Sequence, residues 1–193
     1  MAGNRNPYGP NVMTVQEATN QVAQRRVIRV FPTLAEAAVS DTVGDVLVAS
    51  AEIPNAVLRP GGCSSLINVW LMDYEDVQSD EDHYVIFHQH NAAVFGALDA
   101  TADISVDDLK ADKILGVKLY DSNVNETLAF IDNVKLNELQ GINANVAKVP
   151  LPIFLQAEEN STSVYFTVIQ KAVSGNTPDW DTGDLEFIFH IEY

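Results

Sequence analysis

One cysteine, Cys63, is all the chain contains, so no intrachain disulfide can brace the fold. Long apolar runs are missing too. Nothing approaches the roughly 18–20 continuous apolar residues that a membrane helix requires. The N-terminus, MAGNRNPYGPNV, lacks the apolar core of a secretory signal, so the expectation is a soluble protein made in a cytosol with no membrane partner. Basic residues are scarce: 11 Lys and Arg stand against 27 Asp and Glu, a net charge of −16. A body this acidic repels nucleic acid. Catalytic signatures are absent as well. Gly61-Gly62 has neither the lysine nor the spacing of a phosphate loop, and no Gly-x-Ser-x-Gly elbow occurs. Cys63 has no basic neighbour in sequence to activate it, which makes it an inert thiol.

What is present is an ordinary share of apolar residues, 47% of 193, enough for one core and a tail. The few positive charges are unevenly placed. Arg5, Arg25, Arg26 and Arg29 against Glu17 make residues 1–31 net +3, which leaves −19 on residues 32–193 of a chain that totals −16. This divides the chain into a basic, extended N-terminal arm, 1–31, and an acidic domain, 32–193. Residues 1–12 are polar and rich in Asn, Pro and Gly. Residues 13–24 carry a weak helical pattern, with Thr14 as N-cap and Glu17 three residues on, too thin on its apolar side to stand alone.

From Arg25 the period shortens to two. Strands are predicted at 27–31, 45–53, 64–72, 83–90, 113–121, 127–132, 151–156, 162–171 and 185–193. The stretch 64–72 is apolar on both faces, as a central strand would be, and Trp70 in it is expected in the core. The last strand sets Leu185, Phe187, Phe189, Ile191 and Tyr193 against Glu186, His190 and Glu192. Short helices are predicted at 34–40 and at 104–112, where Ser105 precedes Asp108 by three residues. About nine or ten strands with turn signals between them describe a mostly β protein, an antiparallel β-sandwich or jelly roll.

Three clusters invite chemistry. His88 and His90 share one strand face, as in the metal motif of cupins, and with His190 they supply three nitrogens for zinc or iron if the strands adjoin. No carboxylate follows at cupin spacing, so the expectation is no metal and no cofactor, with the histidines on the wet side of a sheet. The acids Asp73, Glu75, Asp76, Asp80, Glu81 and Asp82 lack the glycine and spacing of a calcium loop and read as a solvated hairpin. Trp180, in Pro178-Asp179-Trp180-Asp181-Thr182-Gly183, is expected on an exposed loop, where it or Tyr74 would stack on a sugar or anchor a neighbouring subunit.

Residues 83–121 carry a further pattern. Val85-Ile86-Phe87, then Asp103-Ile104-Ser105-Val106-Asp107-Asp108, then Ile114-Leu115-Gly116-Val117, with Leu66-Ile67-Asn68-Val69-Trp70 before them, resemble a segment of tailed-bacteriophage virion proteins. The resemblance spans about residues 45–135 and departs at His88-Gln89-His90. It implies a non-enzymatic structural protein of the capsid decoration or cement family, located on the capsid surface of a virion. The implied partners are the major capsid protein and other copies of the chain, as a homotrimer. Arg5, Tyr8, Arg25, Arg26, Arg29 and Trp180 are the residues expected at those contacts. A glycan- or receptor-binding module of a virion is the alternative, and a cupin-like metal site at His88, His90 and His190 the second.

Overall fold

The computed structural model describes residues 24–34, 43–74, 82–92, 95–120, 127–131, 134–138, 152–172 and 180–193. Ten strands and one helix lie among them: β1 (Arg25–Val30), β2 (Val46–Ile53), β3 (Cys63–Asp73), β4 (Asp82–His88), α1 (Val106–Asp112), β5 (Ile114–Tyr120), β6 (Thr127–Ile131), β7 (Val134–Glu138), β8 (Ile153–Gln156), β9 (Val164–Ala172) and β10 (Leu185–Glu192). The first sheet runs β1-β10-β3-β7-β6, with β8 also on β3; the second runs β2-β9-β4-β5. Every pairing between these strands is antiparallel.

The strand order has a simple origin. With the β6–β7 hairpin set aside, the chain pairs as a folded ribbon: β1 with β10, β2 with β9, β3 with β8 and β4 with β5. Rolling that ribbon over brings β10 beside β3 and β9 beside β4. The result is jelly-roll connectivity, so the sandwich has the more specific of the two expected topologies. β3 is long enough to serve two neighbours on one side. Cys63–Leu66 pairs with β8 and Trp70–Asp73 with β7.

The inward positions follow the predicted alternation. Leu185, Phe187, Phe189 and Ile191 of β10 face Val85 and Phe87 of β4 and Phe166 and Val168 of β9 in one buried cluster. Phe166 lies 5.0 Å from Phe187 and 5.1 Å from Phe189, ring centre to ring centre. At β5 the two sheets come close. A Cβ on Gly116 would stand 2.9 Å from Ile153 of β8, so only glycine permits that approach.

A second, smaller cluster sits on the outside of the second sheet. Residues 95–112 return across it and bury Phe95 against Ile86 and Ile169, with Ile104, Ile114 and Val117 around them. Hydrogen bonds fasten this cover to the start of β2: Val46 N–H donates to Ala100 O at 3.0 Å, and Asp99 N–H to Val46 O at 3.1 Å. The predicted cap is present, with Ser105 and Asp108 bonding reciprocally as a capping box at the start of α1.

Several expectations need correction. Arg25–Val30 is an edge strand of the first sheet, bonded along its length to β10, so this part of 1–31 belongs to the β body. Trp70 is half-buried on the outer face of the first sheet, its ring 4.6 Å from that of His190. β7 was not foreseen, because VKLNE is short and mostly polar. The predicted helices at 13–24 and 34–40 lie outside the described residues, apart from Gln24 and from Leu34, which is buried.

Candidate functional site

The sequence-derived candidates fall in four places. Arg5 and Tyr8 lie outside the described residues, as do Glu75, Asp76, Asp80 and Glu81. Arg25, Arg26 and Arg29 project from β1, all three exposed. Two of them already have partners on β10. Arg29 places Nη1 2.9 and 3.1 Å from the two oxygens of Glu186, and Arg25 places Nε 3.5 Å from Glu192. Glu186 faces outward yet is only 1% exposed. It also accepts the Tyr74 hydroxyl at 2.7 Å, and this bond raises the phenol above its ordinary pKa. Tyr74 in turn stacks on Phe31 at 6.3 Å. Arg29 is therefore a structural partner of a buried carboxylate as well as a surface charge.

The Trp180 expectation is overturned. The side chain is 4% exposed and belongs to the main core. Its Nε1–H donates to Asp73 Oδ1 at 3.1 Å, and the ring lies 5.5 Å from that of His83. A large apolar ring closing the end of the sandwich outweighed the polar sequence around it. It offers no platform to a sugar or a subunit. Asp73 and Asp82, the described ends of the acidic cluster, are buried rather than solvated; Asp82 accepts from Lys171 at 3.0 Å.

The histidines do not converge. His88 lies on the outer face of the second sheet and His190 on the outer face of the first, with the core between them. No group of three metal-ligating side chains occurs among the described residues. Nor is His88 wet: the cover buries it completely. Its ring lies between Phe95 at 5.2 Å and Tyr165 at 6.1 Å. Nδ1 is 2.6 Å from the His90 carbonyl and 3.9 Å from Asp112, while Nε2 is 3.1 Å from Thr167 Oγ1. Asp, His and Thr in this order have the residue types of a nucleophilic triad, but the geometry denies it. Thr167 gives its proton to Ala49 O at 2.7 Å, and all three side chains are sealed from solvent. His90, at the root of the cover, pairs with Glu158.

His83 is the buried histidine that sequence reasoning missed. It faces inward from β4, stacked on Tyr120 at 5.8 Å, and neither ring nitrogen has a hydrogen-bond partner among the described residues. Burial pushes its pKa down to about 4, against a small opposing pull from Asp82. The signal was its place in the alternation, two residues before Val85 and four before Phe87, both in the core. Burial likewise lowers the ammonium pKa of Lys118, which also sits inside.

No protein-family model and no curated protein matches this chain. Any functional reading must rest on the surface itself. That surface offers an arginine-bearing edge strand with Val27 54% and the following Phe31 53% exposed, and, on β8, Phe154 at 73%.

Proposed function

We propose that this chain is a non-catalytic structural protein of a tailed-bacteriophage virion. In this reading it binds the outer surface of the head shell and stabilises contacts between capsomers. The observation that carries the reading is the combination of a single jelly roll with the arginine-bearing edge strand β1. Jelly rolls serve viral shells, lectins and cupins, so the fold alone does not choose among them. The site chemistry narrows the choice. Trp180 is unavailable to a sugar, and the cupin-type histidines are held apart on opposite outer faces.

An edge strand suits a protein partner, because its outer backbone groups and alternate side chains are open to a neighbouring chain. Arg26 and the exposed guanidinium groups of Arg25 and Arg29 favour an acidic patch on the major capsid protein. Repeated weak contacts around a symmetric shell, from single chains or from trimers, add through avidity. The preceding residues, with Arg5 and Tyr8, extend that contact.

Co-sedimentation with expanded capsids of the parent phage tests the role. The full chain should pellet in fixed stoichiometry, and R25E/R26E should pellet much less at physiological salt. A full chain that stays in the supernatant at every salt concentration contradicts the proposal. Equal binding by R25E/R26E retains the role and removes β1 from its mechanism.

A further inference from the structure

The backbone of β1 faces two ways. Tyr193 N–H donates to Gln24 O at 3.0 Å, and the same register carries on through Arg26↔Ile191, Ile28↔Phe189 and Val30↔Phe187. In an antiparallel ladder hydrogen-bonded and non-hydrogen-bonded pairs alternate, so the even-numbered residues bond to β10. Arg25, Val27 and Arg29 therefore point their N–H and C=O groups away from β10, toward the open side of the sheet. β1 ends the strand order there, and no strand lies beyond it among the described residues. The same three side chains stand exposed on the outer face, while Ile28 between them is buried in the core. The open edge thus shows backbone hydrogen-bonding groups beneath a row of side chains that runs positive, apolar, positive.

Two other edges are guarded. At the start of β2, the N–H and C=O of Val46 are taken by Ala100 and Asp99. β5, at the end of the second sheet, turns Lys118 inward, and an inward charge on an edge strand discourages an added strand. The arginines of β1 bar only a strand of like charge. A second copy of β1 laid beside the first would double the positive charge. β10 shows what the row accepts: Glu192 lies directly opposite Arg25, 3.5 Å from its Nε, and Glu186 reaches Arg29. With those contacts made, the side chains of Arg25 and Arg29 are still 73% and 61% exposed. A guanidinium has five donors, enough to serve a carboxylate on either side.

We propose, on the reading above that β1 is the contact edge, that the partner protein adds an extended strand to it, with carboxylates opposite Arg25 and Arg29 and an apolar residue opposite Val27. The recognition segment of the partner then has the pattern acid-x-apolar-x-acid, which reads the same in either strand direction. Backbone hydrogen bonds hold the strand, and the three alternate side chains select it. The rest of an acidic chain repels such a segment, so the arginine row also decides where it lands.

The probe is the peptide acetyl-Thr-Glu-Thr-Val-Thr-Glu-Thr-amide, titrated into the full chain and followed by amide NMR and hydrogen exchange. Binding is expected with a dissociation constant of about 1 mM or below. At about ten times that constant, exchange should slow about tenfold at Arg25, Val27 and Arg29. It should not change at Arg26, Ile28 and Val30, whose amides β10 already holds. The same peptide with Lys for both Glu should bind about tenfold more weakly or worse. Val27→Pro removes an N–H that β10 does not use, so it should keep the fold and weaken the Glu peptide about tenfold. Absence of protection at the three odd-numbered amides, or equal binding of the Lys peptide, overturns the proposal. So does protection that arises without peptide as the chain is concentrated, because the occupant is then a second copy. These readings use the unsubstituted chain and stand even if Val27→Pro fails to fold. The virion role fails separately. A chain that takes the peptide but stays off capsids keeps strand addition and loses that role; capsid binding without peptide binding does the reverse.

Discussion

The two sheets present different outer faces. On the first, Arg29 of β1 and the nearby Tyr74 both donate to the outward Glu186 of β10, and Val27 remains exposed. On the second, residues 95–112 fold back and bury the outward Ile86 and His88 of β4 and Thr167 and Ile169 of β9, while Tyr84, beyond the cover, is 38% exposed. Outward-pointing Val27, Arg29 and Phe154 thus meet solvent on the first sheet, while outward-pointing Ile86 and His88 meet a second core on the other. The alternation fixes direction, but a connection elsewhere in the chain decides what lies in that direction.

The largest test of this contrast is Phe95→Ala. Phe95 is wholly buried between cover and sheet, and its loss should cost about 3–4 kcal/mol in urea denaturation. Phe154→Ala, on the outer side of the first sheet at 73% exposure, should cost less than about 0.5 kcal/mol. Comparable losses at the two sites would erase the distinction.

pH probes the inward side of the comparison, at His83. His83 is neutral in the folded protein because burial lowers its pKa to about 4, whereas the unfolded residue titrates near its ordinary value of 6.5. The folded state therefore binds fewer protons between those values. The stability contributed by the neutral ring is complete above about pH 6.5 and is lost as pH falls toward about 4, by up to about 3 kcal/mol. In His83→Phe, a pH series of denaturation curves should show most of this dependence removed. An unchanged slope would mean that other groups carry it.

The contrast also has a smaller electrostatic test. Arg29→Ala leaves the Glu186 carboxylate without its guanidinium while only 1% exposed, which should cost about 2 kcal/mol, and Arg29→Lys should recover part of it. A thermal midpoint unchanged in Arg29→Ala would reduce the pair to an ordinary surface contact.

Much of the fold was legible in the sequence, for local reasons. The alternation in 185–193, the capping box at Ser105 and Asp108, and the strand at 27–31 ended by Pro32 are each specified by a few neighbouring residues. The sandwich followed from counting such strands, but the ribbon order required pairings across more than a hundred residues, such as Arg25 with Glu192. The site was less legible. Trp180 sits in a polar, turn-rich run, and the core, Asp73 carboxylate and His83 ring that receive it are distant in sequence. His88 read as wet because nothing in 83–90 tells of the cover. The charge asymmetry was legible, but β10 carboxylates already meet two of the arginines that create it.

The most direct test of the proposed role is a reconstruction of the decorated capsid at a resolution that traces the chain. The account predicts one jelly roll per binding position on the outside of the shell, with the β1 edge against the capsid protein. Density for this chain inside the shell or only in the tail, or its absence from the particle, would contradict it.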